Sequence, residues 1–277
     1  MRPAEVVHRA AGYLERHDVQ SPVPTAEALL ARVLGLTRTE LYTRETGLSS
    51  AEARTFGRAL CLRCTGTPLQ HLTGEQGFRH LVLAVEPGVF VPRPETEIVV
   101  EHALSAVADL AAPVVIDVGT GTGAIALAIA DEHPGARVTA TDVAPEAVTL
   151  AARNAERLEL AVSVVAGDLF SGVDPSLRGT ADLVVSNPPY VEPHELGSLP
   201  ADVRADPEVA LAGGVEVYRR LFGGALEWLR PGGSVVVEIG ERRGAAVSAA
   251  AADAGLLEVR VLPDLVGRDR VVVGRRP

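Results

Sequence analysis

The chain has 277 residues, enough for one large domain or two smaller ones, and 47% hydrophobic with 22% charged residues is the balance of a globular protein with a sizeable core. All 26 basic side chains are arginine against 36 acidic ones, and the net charge of −10 argues against a broad phosphate-tracking surface. No signal-peptide pattern opens the sequence, no run of about 20 apolar residues spans a bilayer, and Cys61 and Cys64 make no secreted disulfide framework, so a cytoplasmic protein without membrane contact is expected.

Residues 4–65 carry helical periodicity. Val6, Val7, Ala10, Ala11 and Leu14 form one stripe. Ser21 to Thr25 breaks the pattern, with Thr25 as the expected N-cap of a second helix whose stripe is Ala28, Leu29, Leu30, Val33 and Leu34, closed by Gly35. Thr37 to Tyr42 reads as a short helix, and Ser49 or Ser50 caps a fourth through Arg63. Cys61-Leu62-Arg63-Cys64 has the spacing of half a zinc site or a redox pair, but only His71 lies nearby as a further ligand, and core packing on a helix is the expected role. Phe78 with His80 to Val85, and Gly88 to Val91, read as two strands around the turn Glu86-Pro87-Gly88. The expected organisation is therefore a helical domain over 1–73, a linking hairpin over 74–92, and a larger domain over 93–277.

That larger domain alternates strands and helices. Strands are expected at Val114–Ile116, Arg137–Thr141, Val162–Ala166, Leu183–Ser186 and Ser234–Ile239, the last preceded by a Pro231-Gly232-Gly233 turn. Helices fall between them, and the closing pair Leu257–Leu262 and Arg270–Val273 has no helix between its strands. The fold class is α/β: a doubly wound, mainly parallel sheet with an antiparallel edge hairpin, plus the small N-terminal helical bundle.

Chemistry-bearing residues gather at strand ends. Gly119-Thr120-Gly121-Thr122-Gly123 joins a strand to a helix, the context in which glycine loops approach a ligand. With Ala124 it matches the relaxed dinucleotide pattern, yet Asp117 beside it would repel a pyrophosphate and attract a cationic amino-acid or sulfonium group. Asp142, ending the next strand, suits ribose hydroxyls. Asp168 suits an adenine amine, with Leu169 or Phe170 over the base. Each Asp alone could be a helix cap or turn residue; three at successive strand ends describe S-adenosylmethionine. Asn187-Pro188-Pro189-Tyr190 follows the fourth of these strands. Two prolines stiffen the backbone, the Asn187 side chain and the Pro188 carbonyl offer acceptors, and Tyr190 offers a flat face. This suits a planar –NH2 group, a carboxamide or the exocyclic amine of a base; a strand-ending turn with a packed Tyr is the plain alternative.

Asp117 to Gly123, Asp142, Asp168 and the NPPY tetrapeptide, in that order, resemble class I (Rossmann-like) methyltransferases acting on planar nitrogens. Gly66 to Gly74, Val91-Pro92-Arg93-Pro94-Glu95-Thr96-Glu97, Glu238-Ile239-Gly240 and Asp264 to Arg270 narrow the resemblance to the HemK/PrmC family of release factor N5-glutamine methyltransferases. The resemblance implies methyl transfer from S-adenosyl-L-methionine to the glutamine amide of the Gly-Gly-Gln loop of peptide chain release factors. Asn187, Pro188 and Tyr190 would be catalytic, with Pro189 also in the substrate site. Asp117, Gly119, Thr120, Gly121, Thr122, Gly123, Asp142, Asp168, Leu169 and Asn187 would hold the cofactor, and no metal, nucleic acid or second subunit is expected. Three departures stand out: Leu169 where many members carry an aromatic, Thr25 where the family often has Asp, and a shortened Gly213-Gly214 to Arg219 run. The competing expectations are an N6-adenine nucleic acid methyltransferase and a non-catalytic cofactor-binding interaction protein.

Overall fold

The computed structural model describes residues 1–199 and 203–277. The chain divides into two units, Met1–Glu75 with a short segment ending at Ala205, and Gln76–Leu199 with Asp206–Pro277.

The first unit is helical: α1 (Pro3–Glu15), α2 (Pro22–Leu34), α3 (Arg38–Thr43), α4 (Ser50–Cys64) and α5 (Leu69–Thr73). Val7, Leu14, Leu29, Leu30, Leu41 and Phe56 form its buried core. Helix α2 starts earlier than expected. Ser21 takes the N-cap position, because Pro22 suits a first helical turn, and Thr25 lies inside the helix, buried. Helix α5 was not expected, since its five residues are too few to show a period. Only Cys64 of the cysteine pair packs on the core; Cys61 is exposed. The start of α4 is a reciprocal cap: Ser49 Oγ accepts from the Glu52 N–H at 3.2 Å and the Glu52 carboxylate accepts from the Ser49 N–H at 2.6 Å. Ser49→Ala should therefore lower stability by about 1 kcal/mol, read as an earlier midpoint in urea unfolding.

Two short strands follow, β1 (Glu75–Phe78) and β2 (Leu81–Ala84), paired across Arg79, which sits at φ 50°. The expected hairpin is thus shifted towards the N-terminus, and Gly88–Val91 is not a strand. The Val91 N–H is taken by the Asp206 carboxylate at 3.1 Å, and Pro92 and Pro94 have no N–H to give a ladder.

The second unit is built on a seven-stranded sheet. Its elements are α6 (Thr96–Val107), β3 (Val114–Val118), α7 (Ala124–Glu132), β4 (Arg137–Asp142), α8 (Pro145–Arg157), β5 (Val162–Ala166), β6 (Ala181–Ser186), α9 (Glu208–Leu211), α10 (Gly214–Trp228), β7 (Leu229–Glu238), α11 (Gly244–Asp253), β8 (Leu257–Pro263) and β9 (Asp269–Arg275). The strand order is β5-β4-β3-β6-β7-β9-β8, parallel through β7 and antiparallel at β9 and β8. The expected turn at Pro231-Gly232-Gly233 lies inside β7 instead, where the register with β6 shifts between Ala181 and Leu183. Gly232 absorbs that irregularity at φ 76°.

Both faces of the sheet are covered, which is why its strands read as continuous apolar runs. Val115, Val138, Leu183, Val185 and Val236 pack under α6 and α7. Val114, Ile116, Val184, Val235 and Val237 pack under α10 and α11, with Tyr218, Phe222 and Trp228. After β3 the chain moves to β4, then returns past β3 to β6. Ligands bind at such a switch point, beyond the carboxyl ends of the strands. The register puts Val118 opposite Thr141 on one side and Ser186 on the other, so Asp117, Asp142 and Asn187 all sit at this edge. No described helix is long and apolar enough to cross a membrane.

Candidate active site

Asp117 ends the alternation of β3 on the α7 side and is fully buried. One carboxylate oxygen accepts from the Thr120 hydroxyl at 2.6 Å and from the Ala126 N–H at 3.2 Å. The other oxygen is buried without a hydrogen-bond partner. Burial raises the carboxyl pKa from 3.8 to about 7 against those two bonds, and Asp142 adds to the rise. That oxygen is free to accept a further donor, and a cation beside it would favour the ionised form.

Four of the five N–H groups of Gly119 to Gly123 are engaged within the chain. The Gly119 and Thr120 N–H groups both go to the Thr141 carbonyl, Gly121 N–H goes to Asp142 at 2.8 Å, and Gly123 N–H goes to the Thr120 carbonyl. Most of the loop's amides are thus spent on the chain itself and not left for a pyrophosphate. Gly119 and Gly121 have φ of 75° and 58°, and an added Cβ at either would meet nothing within 4 Å. They let the backbone turn beside open space. Gly123 differs, since a Cβ there would press on Leu127. Thr122 is buried and its carbonyl is held by Asn154.

Asp142 is held by two backbone groups, Gly121 N–H on one oxygen and Ala144 N–H, at 2.9 Å, on the other. Each oxygen keeps a lone pair for a hydroxyl donor. Val143 beside it is 57% exposed, an apolar side chain at the lip of the site that the strand pattern did not flag. Asp168 is exposed and ion-paired with Arg220 at 2.6 Å, so it lies on the rim. Leu169 sits at φ 52°, its carbonyl holding the Thr141 hydroxyl. Phe170 is buried and stacked on Trp228 at 5.9 Å, whereas Leu169 is half-buried.

The Asn187 amide is oriented by its neighbours. Its Nδ2 donates to the Thr96 hydroxyl at 3.3 Å, and Thr96 donates to Glu238 at 2.6 Å. No described residue donates to Asn187 Oδ1 or to the Pro188 carbonyl. Tyr190 packs over Gly240, and burial together with the Glu238 charge holds its hydroxyl protonated far above the usual range, which excludes it as a general base. Thr96 and Glu238 had been noted only as parts of motifs. Glu238 closes the apolar run of β7 as the Asp residues close theirs, whereas Thr96, at the start of α6, carried no such signal.

The backbone after the tetrapeptide is laced to the segment before α10. Val191 N–H bonds the Leu211 carbonyl at 2.8 Å and Gly213 N–H bonds the Val191 carbonyl at 3.0 Å. Arg243 pairs with Glu195 at 2.5 Å and Glu192 at 3.5 Å from the other side. A methyl group at Gly213 would run into the Pro189 carbonyl oxygen, and one at Gly214 into the Glu192 carboxylate. The shortened Gly-Gly segment therefore supports the tetrapeptide directly. Gly213→Ala should displace Pro189 and lower kcat about ten-fold with a smaller change in cofactor affinity, measured by steady-state kinetics and calorimetry.

Known proteins bear on this arrangement in three ways. A family model described as "Methyltransferase small domain" matches residues 81–200, and one described as "PrmC N-terminal domain" matches residues 5–74. The release factor glutamine methyltransferase of Moorella thermoacetica is 44% identical over 98% of this chain and 96% of its own. That of Deinococcus radiodurans is 41% identical over 100% and 99%. The chain belongs to the release factor glutamine methyltransferase family. Among solved structures, the hMettl16 catalytic domain in complex with a MAT2A 3′UTR hairpin superposes with a TM-score of 0.57 at 16% identity, over 82% of each chain, a likeness of fold. The open Asp117 oxygen lies on one side of the switch point and the open Asn187 and Pro188 acceptors on the other.

Proposed function

We propose that this protein transfers a methyl group from S-adenosyl-L-methionine to the side-chain amide nitrogen of the glutamine in the Gly-Gly-Gln loop of peptide chain release factors. The observation that carries the reading is the pair of unengaged acceptors, Asn187 Oδ1 and the Pro188 carbonyl, held at a strand end beside a buried carboxylate with one unpaired oxygen. Asp117, Asp142, Asp168, Leu169 and the glycine turn would hold the cofactor. When bound, it supplies an electrophilic methyl group.

A carboxamide nitrogen is a weak nucleophile because its lone pair is delocalised into the carbonyl. Asn187 Oδ1 and the Pro188 carbonyl accept its two N–H groups and fix its plane. These bonds strengthen as positive charge develops on nitrogen, so they favour the transition state over the bound substrate. Prolines at 188 and 189 keep the acceptors from relaxing. Tyr190 covers the amide plane and keeps its own proton.

The helical unit is the part we assign to holding the release factor, which slower amide exchange within residues 1–75 on adding that partner would support. We place the protein in the cytoplasm, acting as a monomer without nucleic acid. The deciding experiment is incubation with labelled S-adenosylmethionine and either release factors or adenine-containing DNA and RNA, followed by mass mapping. Label on the glutamine of the Gly-Gly-Gln loop is the expected result; label only on adenine would replace it with the nucleic acid reading, and tight cofactor binding without any transfer would favour a binding protein.

A further inference from the structure

We propose that Thr96 and Glu238 form a directional relay that decides which end of the Asn187 amide faces the substrate. This rests on the function proposed above and names two positioning residues for it.

The argument is one of donors and acceptors. An ionised carboxylate can only accept, so Glu238 takes the single proton of the Thr96 hydroxyl, at 2.6 Å. The Thr96 oxygen is then left as an acceptor, and it takes a proton of Asn187 Nδ2 at 3.3 Å. The amide cannot turn over without setting its own oxygen against an oxygen with no proton to give. Oδ1 therefore faces the substrate –NH2. Both relay residues are buried, so water does not offer a substitute partner.

Protonation of Glu238 would release the constraint. The carboxyl could donate to Thr96, whose hydroxyl could then donate to Asn187 Oδ1, and an inverted amide would oppose two N–H groups to the two on the substrate. The charged and titratable groups around Glu238 come from four elements or loops. Arg270 on β9 favours the carboxylate, and Glu95 before α6 opposes it. Tyr190 shares the carboxylate with Thr96, and Tyr218 on α10 donates to the Glu238 backbone carbonyl at 2.7 Å. Burial, helped by Glu95, outweighs the Thr96, Arg270 and Tyr190 contacts and raises the Glu238 carboxyl from 4.5 to about 7, so the relay switches within an accessible pH range.

The test combines kinetics with a reading of the amide itself. Thr96→Val should lower kcat ~10–100-fold while KM for the release factor moves less than about three-fold, and Thr96→Ser should recover most of the loss. Wild-type kcat should fall as pH drops below about 7, and Glu238→Gln should remove that acid limb. The Asn187 side-chain –NH2 resonances in a 1H–15N spectrum, assigned through their loss in Asn187→Asp, should shift with the same midpoint and stop shifting in Glu238→Gln. Equal losses in Thr96→Val and Thr96→Ser, or an Asn187 signal that titrates unchanged in Glu238→Gln, would overturn the relay. Because the spectrum needs no substrate, it reads the relay even if no methyl group reaches a release factor, in which case the proposed function falls by itself.

Discussion

Asn187→Ala should lower kcat for release factor methylation by ~10²–10³-fold while leaving cofactor affinity within a few-fold of wild type. The magnitude is that of removing one fixed acceptor aimed at developing charge, with an added penalty because the substrate amide is no longer held in plane. The variant should fold, since Asn187 is only half-buried and its side-chain bond to Thr96 is a long one, at 3.3 Å. Thr96 keeps its stronger partner, Glu238, at 2.6 Å. Single-turnover methylation with saturating cofactor separates the chemical step from binding. Turnover within three-fold of wild type would mean that Asn187 does not contact the reacting nitrogen.

Asp117→Asn should weaken S-adenosylmethionine binding about 100-fold or more, the effect of losing one charge of a buried ion pair worth 2–5 kcal/mol. The same side chain predicts a pH dependence. Its carboxyl titrates at about 7 in the free protein, against 3.8 ordinarily. A cationic ligand needs the ionised form, so affinity should rise with pH up to about 7 and then level off, roughly ten-fold per unit on the rising side. Stability of the free protein should move the opposite way. The folded state holds this proton more tightly than the unfolded chain between pH 4 and 7, so folding is favoured at the acid end of that window and loses this contribution as pH rises through it. Glu238, also raised to about 7, adds to the same trend. Asp117→Asn should flatten part of that fall, so its Tm should gain on wild type between pH 6 and 8 even as binding is lost. Calorimetric titration and thermal unfolding across pH 5.5–8 check both halves.

The parts of this molecule that were readable from sequence are those that local pattern dictates. β3 reads as a strand because both faces are buried, and the glycine turn reads as a turn because its residues need positive φ. Asp117, Asp142 and Asn187 were legible because each closes an apolar run and so falls at one edge of a parallel sheet. What escaped was set by distant partners. The strand expected at Gly88–Val91 was lost to an Asp206 side chain 115 residues away. Helix α2 began early because Pro22 outcompeted a good capping residue at 25. The Thr96–Glu238 contact spans 142 residues and Asn187–Thr96 spans 91, so each residue looked ordinary beside its own neighbours. The resemblance had drawn attention to the motifs that contain them, without saying that they touch.

Strand β9 lies between β7 and β8, so the sheet is closed by a segment made after both of the strands it joins. During synthesis, β7 therefore has an open edge until residues 269–275 have emerged, and Glu238 lacks Arg270, the cation that favours its charge. A ribosome-bound chain stopped before Asp269 would hold every residue of the glycine turn and the tetrapeptide and still have an incompletely set acceptor. An edge able to pair with other nascent strands is exposed until Asp269–Arg275 has been made.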